Sequence, residues 1–289
     1  MMIQGRSLSL AALFGLALAL PAGAADMRVK APVAPPPPPP FTWTGCYLGG
    51  FVGGAFADRD PFFTDLGNSR FGSFSGGIQP LGIAGIHSWA VPVDDSIIGG
   101  GTLGCNWQFA GSPFVLGIEG EGGYMRFSGA AFDPSRGPNT LVAPFTSDVL
   151  GAARIGDWYA MATGRVGYAF NTVLFYVKGG AAFVPVKASV VDNCTTGCSN
   201  WLIATAVDDT ATVGTIGGGI EWAFAPNWSM KAEYMFIGLG GHGLTSCGTA
   251  TLASGAVVPG GDFCFAHDFP DIHTVKLGIN WRFGSIFGP

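Results

Sequence analysis

Residues 216–236 read IGGGIEWAFAPNWSMKAEYMF, and this stretch decides the fold. Taken by twos, Trp228, Met230, Ala232, Tyr234 and Phe236 fall on one parity, and Ser229, Lys231 and Glu233 fall on the other. The first half repeats the pattern, with Ile216, Ile220, Trp222 and Phe224 against Thr215, Gly217, Gly219 and Glu221. A period of two marks β-strands and Ala225-Pro226-Asn227 is turn chemistry, so the stretch is a β-hairpin. In a soluble sheet the apolar face would be a core. Here that face carries large aromatics beside the turn, while the opposite face sets charges next to glycines. The arrangement fits a strand turned inside out, apolar toward lipid and polar toward a lumen.

The chain opens with Arg6, an apolar run Leu8–Leu20 and Ala22-Gly23-Ala24, the pattern of a cleaved export signal over 1–24. That run is about 13 residues, against roughly 20 for a membrane helix, and no later stretch reaches 18 consecutive apolar residues. Residues 25–40 end in APVAPPPPPP, expected to be a polyproline II spacer in the periplasm. Only 11% of the chain is charged although it holds 47 glycines and 48% hydrophobic residues. Soluble domains carry about 25% charged residues, so the composition favours a lipid-embedded barrel. A formal net charge of −5 and the lack of a basic run exclude a nucleic-acid partner.

The barrel is expected over 41–283, followed by a short tail, 284–289. Strand-like alternation recurs in residues 42–56, 97–109, 114–127, 157–170, 173–185 and 272–283, which with the opening hairpin makes eight strands. Residues 57–96, 128–156, 186–209 and 239–271 read as four long surface loops, the first with room for a further hairpin. In the first strand glycines occupy both parities, which leaves its faces unassigned. Two regularities tie the strands together. Glu119, Glu121, Arg165, Lys178, Glu221, Lys231, Glu233, Lys276 and Arg282 all oppose the apolar parity, a nearly balanced set suited to a desolvated lumen. Trp107, Phe109, Phe114, Tyr168, Phe170, Phe175, Trp222, Phe224, Trp228, Trp281 and Phe283 flank the short turns on the apolar parity and form an expected periplasmic girdle. Eight strands give an interior that side chains can fill, so any pore is narrow, gated or absent. On this assignment Ile279→Arg should block insertion and Lys276→Ala should be milder.

Candidate local disulfides are Cys194 with Cys198 and Cys247 with Cys264. Cys46 and Cys105 either face each other across neighbouring strands or serve as small apolar fillers. Hydrolase chemistry needs a histidine beside a nucleophile and an orienting carboxylate. His87-Ser88, His267-Asp268 and Asp271 with His273 are the available groups, and His242 could join a metal set. Rim residues of this kind are expected to be solvated surface, so no catalytic, cofactor or metal site is assigned. GGG at 99–101 and 217–219 sits within strands and reads as packing, not phosphate binding.

WTGCYLGG near 43, IIGGGTLGCNWQF near 97, GIEGEGGY near 117, RVGYAF…YVKGGAAF, residues 217–240 and HTVKLGINWRFG resemble the small Gram-negative outer-membrane β-barrel family of outer-membrane immunogenic, opacity-like porin proteins. The resemblance implies an all-β, eight-stranded antiparallel up-and-down barrel with a structural, surface-exposed role in the cell outer membrane. It supplies no catalytic residue. Expected partners are outer-membrane lipids, the barrel-assembly machinery during insertion and an unidentified extracellular ligand. The rivals are a narrow porin-like channel for small solutes and a loop-mediated ligand- or host-binding protein. Such barrels end on an aromatic, whereas Phe283 here precedes GSIFGP, leaving Phe283 or Phe287 for that role.

Overall fold

The computed structural model describes residues 41–66, 87–134, 146–196 and 201–284. The expected signal, spacer and Phe287 lie outside them. Among these described residues fourteen strands run in chain order: β1 (Gly45–Ala57), β2 (Phe62–Asp65), β3 (His87–Ala90), β4 (Ser96–Gln108), β5 (Phe114–Tyr124), β6 (Arg126–Phe132) and β7 (Thr146–Gly156). They continue as β8 (Tyr159–Phe170), β9 (Val173–Thr196), β10 (Trp201–Ala225), β11 (Trp228–Ile237), β12 (Gly243–Leu252), β13 (Val257–Asp268) and β14 (Ile272–Phe283).

Eight of them close a ring. β1 lies between β14 and β4, β5 and β8 follow, and β9 pairs with β10, which returns through β11 to β14. Every pairing in the ring is antiparallel, and closure removes the exposed edges an open sheet would leave. The hairpin that decided the fold is β10–β11, with Ala225 opposite Trp228 and a bulge between Ala223 and Ala225. At the β8–β9 turn Asn171 takes φ 53°, a left-handed conformation that asparagine tolerates.

The four expected loops are corrected by the structure, because each contains strand. β9 and β10 continue as one ribbon from the Val173–Trp222 pair to the Cys194–Trp201 pair, twice what a membrane crossing needs. On one side β7 joins β9 and β6 joins β7; on the other β12 pairs with the ribbon tip, followed by β13, β2 and β3. The hairpin hidden in 57–96 is β2–β3, and it belongs to this crown, so the ring count stays at eight. These segments escaped the parity reading because both of their faces mix small and polar residues. The crown has an apolar interior where Phe63 and Trp89 pack edge-on, with centroids 5.8 Å apart, over Gly151 of β7. That core includes Val149, Ile155, Val186 and Phe265, and runs down to Ile98, Met161, Val184 and Met235 in the barrel mouth.

Gly180 and Gly120 differ in kind. A Cβ on inward-facing Gly180 would collide with the carbonyl of Ala162, whereas one on outward Gly120 would meet nothing nearer than the Leu103 carbonyl oxygen at 3.8 Å. Gly180→Ala is therefore expected to cost about 1–3 kcal/mol in a urea titration. Gly120→Ala should change the midpoint little.

Candidate functional site

The lumen is the site. In β5, β8, β9, β10, β11 and β14 the inward parity places Glu119, Glu121, Arg165, Lys178, Glu221, Lys231, Glu233 and Lys276 in one cluster, each 5% exposed or less. Lys178 Nζ lies 2.6 Å from Glu119 Oε1, 2.8 Å from Glu233 and 3.5 Å from Glu121. Lys276 Nζ bridges Glu121 at 2.5 Å and Glu233 at 2.8 Å. Lys231 reaches Glu119 at 3.0 Å, and Arg165 pairs with Glu221 at 2.9 Å and Glu119 at 3.7 Å. Four acids meet four bases. Taking so many charges out of water costs several kcal/mol per ion unless each is paired and hydrogen-bonded, and here each is.

Three phenols that the parity pattern left unassigned complete the network, together with the inward-parity Ser229 and Asn280. Tyr47, Tyr159 and Tyr176 donate to Glu119 (2.6 Å), Glu121 (2.8 Å) and Glu233 (2.8 Å). Ser229 and Asn280 donate to Glu221 at 2.6 and 2.8 Å. The Arg165 guanidinium also stands 4.5 Å from the Tyr176 ring centroid. Tyr159 and Tyr176 share the parity of Arg165 and Lys178, so that signal was available. Tyr47 sits in the strand with glycines on both faces, which obscured it.

Arg282 does not join this cluster, a correction to its expected place. It lies at the turn end, where it donates to the carbonyls of Thr42 (3.0 Å) and Pro226 (2.6 Å) and covers the Phe41 ring at 4.4 Å. Backbone carbonyls and rings stabilise the guanidinium there, so no fifth acid is needed inside. Beneath the charges, buried Trp43, Val115, Leu174 and Tyr176 form a second apolar layer, and the Trp43 indole donates to the Asn171 carbonyl.

Outside, the aromatics Trp107, Phe109, Phe114, Tyr168, Phe170, Phe175, Trp222, Phe224, Trp228 and Trp281 are exposed at the end with the short turns, and half-buried Phe283 packs on Trp281. At the opposite end Phe56, Tyr124, Trp158 and Tyr234 are exposed, the last with its hydroxyl 2.7 Å from His273 Nδ1. Cys46 and Cys105 are opposite one another in β1 and β4 and form a disulfide on the outward parity. Cys247 and Cys264 form another across β12 and β13, while the Cys194 and Cys198 side chains lie outside those described.

Among the described side chains, the histidines His242, His267 and His273 do not gather into one cluster. His242 meets Asp209 at 3.0 Å, Asp268 meets Arg59 at 3.0 Å, and Asp271 accepts the Gly240 amide. His267 is buried in the crown, its Nε2 2.7 Å from Ser246 Oγ, and burial holds its pKa down, from 6.5 to about 4. The fold therefore holds the neutral imidazole. Its contribution is complete above pH 6.5 and is lost as pH falls toward 4, because the unfolded crown takes up the proton first. Limited proteolysis of the crown is expected to accelerate across that window in the natural protein, and less so in His267→Phe.

A closed antiparallel ring with an apolar exterior, two aromatic belts and a paired ionic interior defines a transmembrane β-barrel of the outer-membrane type. The chain belongs to the outer membrane protein beta-barrel domain family, whose model matches residues 10–283. It is similar to the 31 kDa outer-membrane immunogenic proteins of Brucella melitensis biotype 1 and Brucella suis biovar 1. Each is 29% identical over 282 residues, covering 95% of this chain and 97% of the relative. Among solved structures it is similar to the outer membrane protein OprG from Pseudomonas aeruginosa, 11% identical with a TM-score of 0.42 over 84% of this chain and 99% of that one. Another is Ail, the attachment invasion locus protein of Yersinia pestis, 14% identical with a TM-score of 0.33 over 83% and 99%. The protein is located in the cell outer membrane.

Proposed function

We propose that the barrel is a structural, surface-exposed element of the envelope that neither catalyses nor conducts. The observation that carries this reading is the interlocking of eight lumenal charges, each 5% exposed or less, between two apolar layers. A solute crossing it would have to separate Lys178 and Lys276 from the carboxylates they share. His267 lies beside Ser246, but among the described residues nothing accepts a hydrogen bond from its Nδ1, so that pair lacks the orienting carboxylate hydrolysis would use, in keeping with a non-catalytic role. Its partners are the lipids around the barrel and the assembly machinery that inserts it. Planar-bilayer recording of the refolded protein is the test: a quiet membrane is expected, and reproducible single-channel steps would establish the porin reading instead. The strand-built crown favours the second reading, a surface that engages an extracellular ligand. Loss of ligand binding after surface proteolysis of intact cells would support that.

A further inference from the structure

The lumenal glutamates occupy four of the described basic side chains, Arg282 closes the turn end, and Arg59 is held by Asp268 and the Phe269 carbonyl. The remaining three, Arg126, Arg154 and Lys187, gather on β6, β7 and β9. Register aligns Ser128, Arg154, Lys187 and Asp208 in one row across four strands. The next row, farther from the membrane, is Ala130, Ala152, Ser189 and Ala206. Because that second row is small, it leaves a depression of about 660 Å³ walled by Arg154 and Lys187 and floored by Ala152, Ser189 and Ala206.

Its height narrows the ligand. Arg126 follows the exposed Tyr124 by two residues, and Asp157, which bridges Arg126 (3.5 Å) and Arg154 (3.3 Å), directly precedes the exposed Trp158. Arg126 thus lies roughly 7 Å along the strand from the outer aromatic belt and the Arg154–Lys187 row roughly 13 Å, a height reached by a sugar-bearing headgroup and not by acyl chains. Asp157 and Asp208 leave the five charged groups with one net positive charge. Their pairs are solvent-exposed, the Lys187–Asp208 pair at 44% and 63%, and exposed pairs hold weakly enough for a stronger anion to displace them. A guanidinium fork beside an ammonium suits phosphate.

We propose that this face binds a phosphorylated glycolipid headgroup of the outer leaflet, with Arg154 and Lys187 on the phosphate and the sugar on the Ala152–Ser189–Ala206 shelf. The site is independent of whether the lumen conducts. The test titrates the full-length folded protein in neutral detergent with bisphosphorylated lipid A, its dephosphorylated form and inorganic phosphate. The natural protein is expected to prefer the phosphorylated lipid by about tenfold, a preference lost in Arg154→Gln/Lys187→Gln and kept in Arg59→Gln. Equal binding of the two lipids, or equal loss in Arg59→Gln, would overturn the site. Inorganic phosphate binding as tightly as the lipid would overturn the glycolipid assignment. Ala206→Trp fills the shelf with every charge retained and should weaken lipid binding alone. If the double variant loses its heat-dependent electrophoretic shift, this arm decides, and unchanged lipid binding contradicts the proposal.

Discussion

Glu119→Gln is expected to lower the unfolding free energy of the refolded protein by about 3–5 kcal/mol. Glu119 receives Lys178 at 2.6 Å, Lys231 at 3.0 Å, Arg165 at 3.7 Å and the Tyr47 hydroxyl at 2.6 Å, with its own side chain wholly buried. Neutralising it leaves four bases facing three acids in a space that water does not reach, and a buried charge stripped of its partner is far costlier than the pair was worth. Removing one base as well, in Glu119→Gln/Lys231→Gln, restores neutrality and should recover a large part of the loss. Urea titrations in lipid vesicles read both values. Full additivity of the two single costs would mean the charges do not form one balanced set.

Leu277→Arg should cost about 2–4 kcal/mol in the same titration. Leu277 is 64% exposed and lies midway along β14 between Trp281 in the turn-end girdle and His273 at the outer belt. A cation there meets acyl chains with neither interface in easy reach. Ile279 is one outward step nearer the girdle, so Ile279→Arg should cost less than Leu277→Arg because its side chain can bend toward the headgroups, a smaller effect than the block to insertion expected from alternation alone. Should Leu277→Arg prove neutral, β14 does not present that face to lipid.

The barrel was legible because its faces differ sharply. In the β10–β11 hairpin and in β14, aromatics and charges occupy opposite parities, and a period-two reading separates them directly. The crown was hidden because Ala130, Ala152, Ser189 and Ala206 fill its outer row and carry little hydrophobic contrast. The lumenal acids and bases were legible as a set, but their partnerships were not, since contacts such as Lys178–Glu119 depend on strand order and stagger around the ring. That gap overturns one expectation. Lys276 is shared by Glu121 and Glu233, so Lys276→Ala should be among the costly substitutions rather than a mild one. Arg282 has the same parity yet faces backbone carbonyls at the turn end, a difference of height that alternation cannot report.

The most direct test of the alternation is a scan of single spin labels along β14, residues 274–280, in lipid vesicles. Labels at 275, 277 and 279 are expected to collide freely with dissolved oxygen, while those at 274, 276, 278 and 280 should be shielded both from oxygen and from a water-soluble paramagnetic reagent. Uniform accessibility along the strand, or the opposite phase, would contradict it.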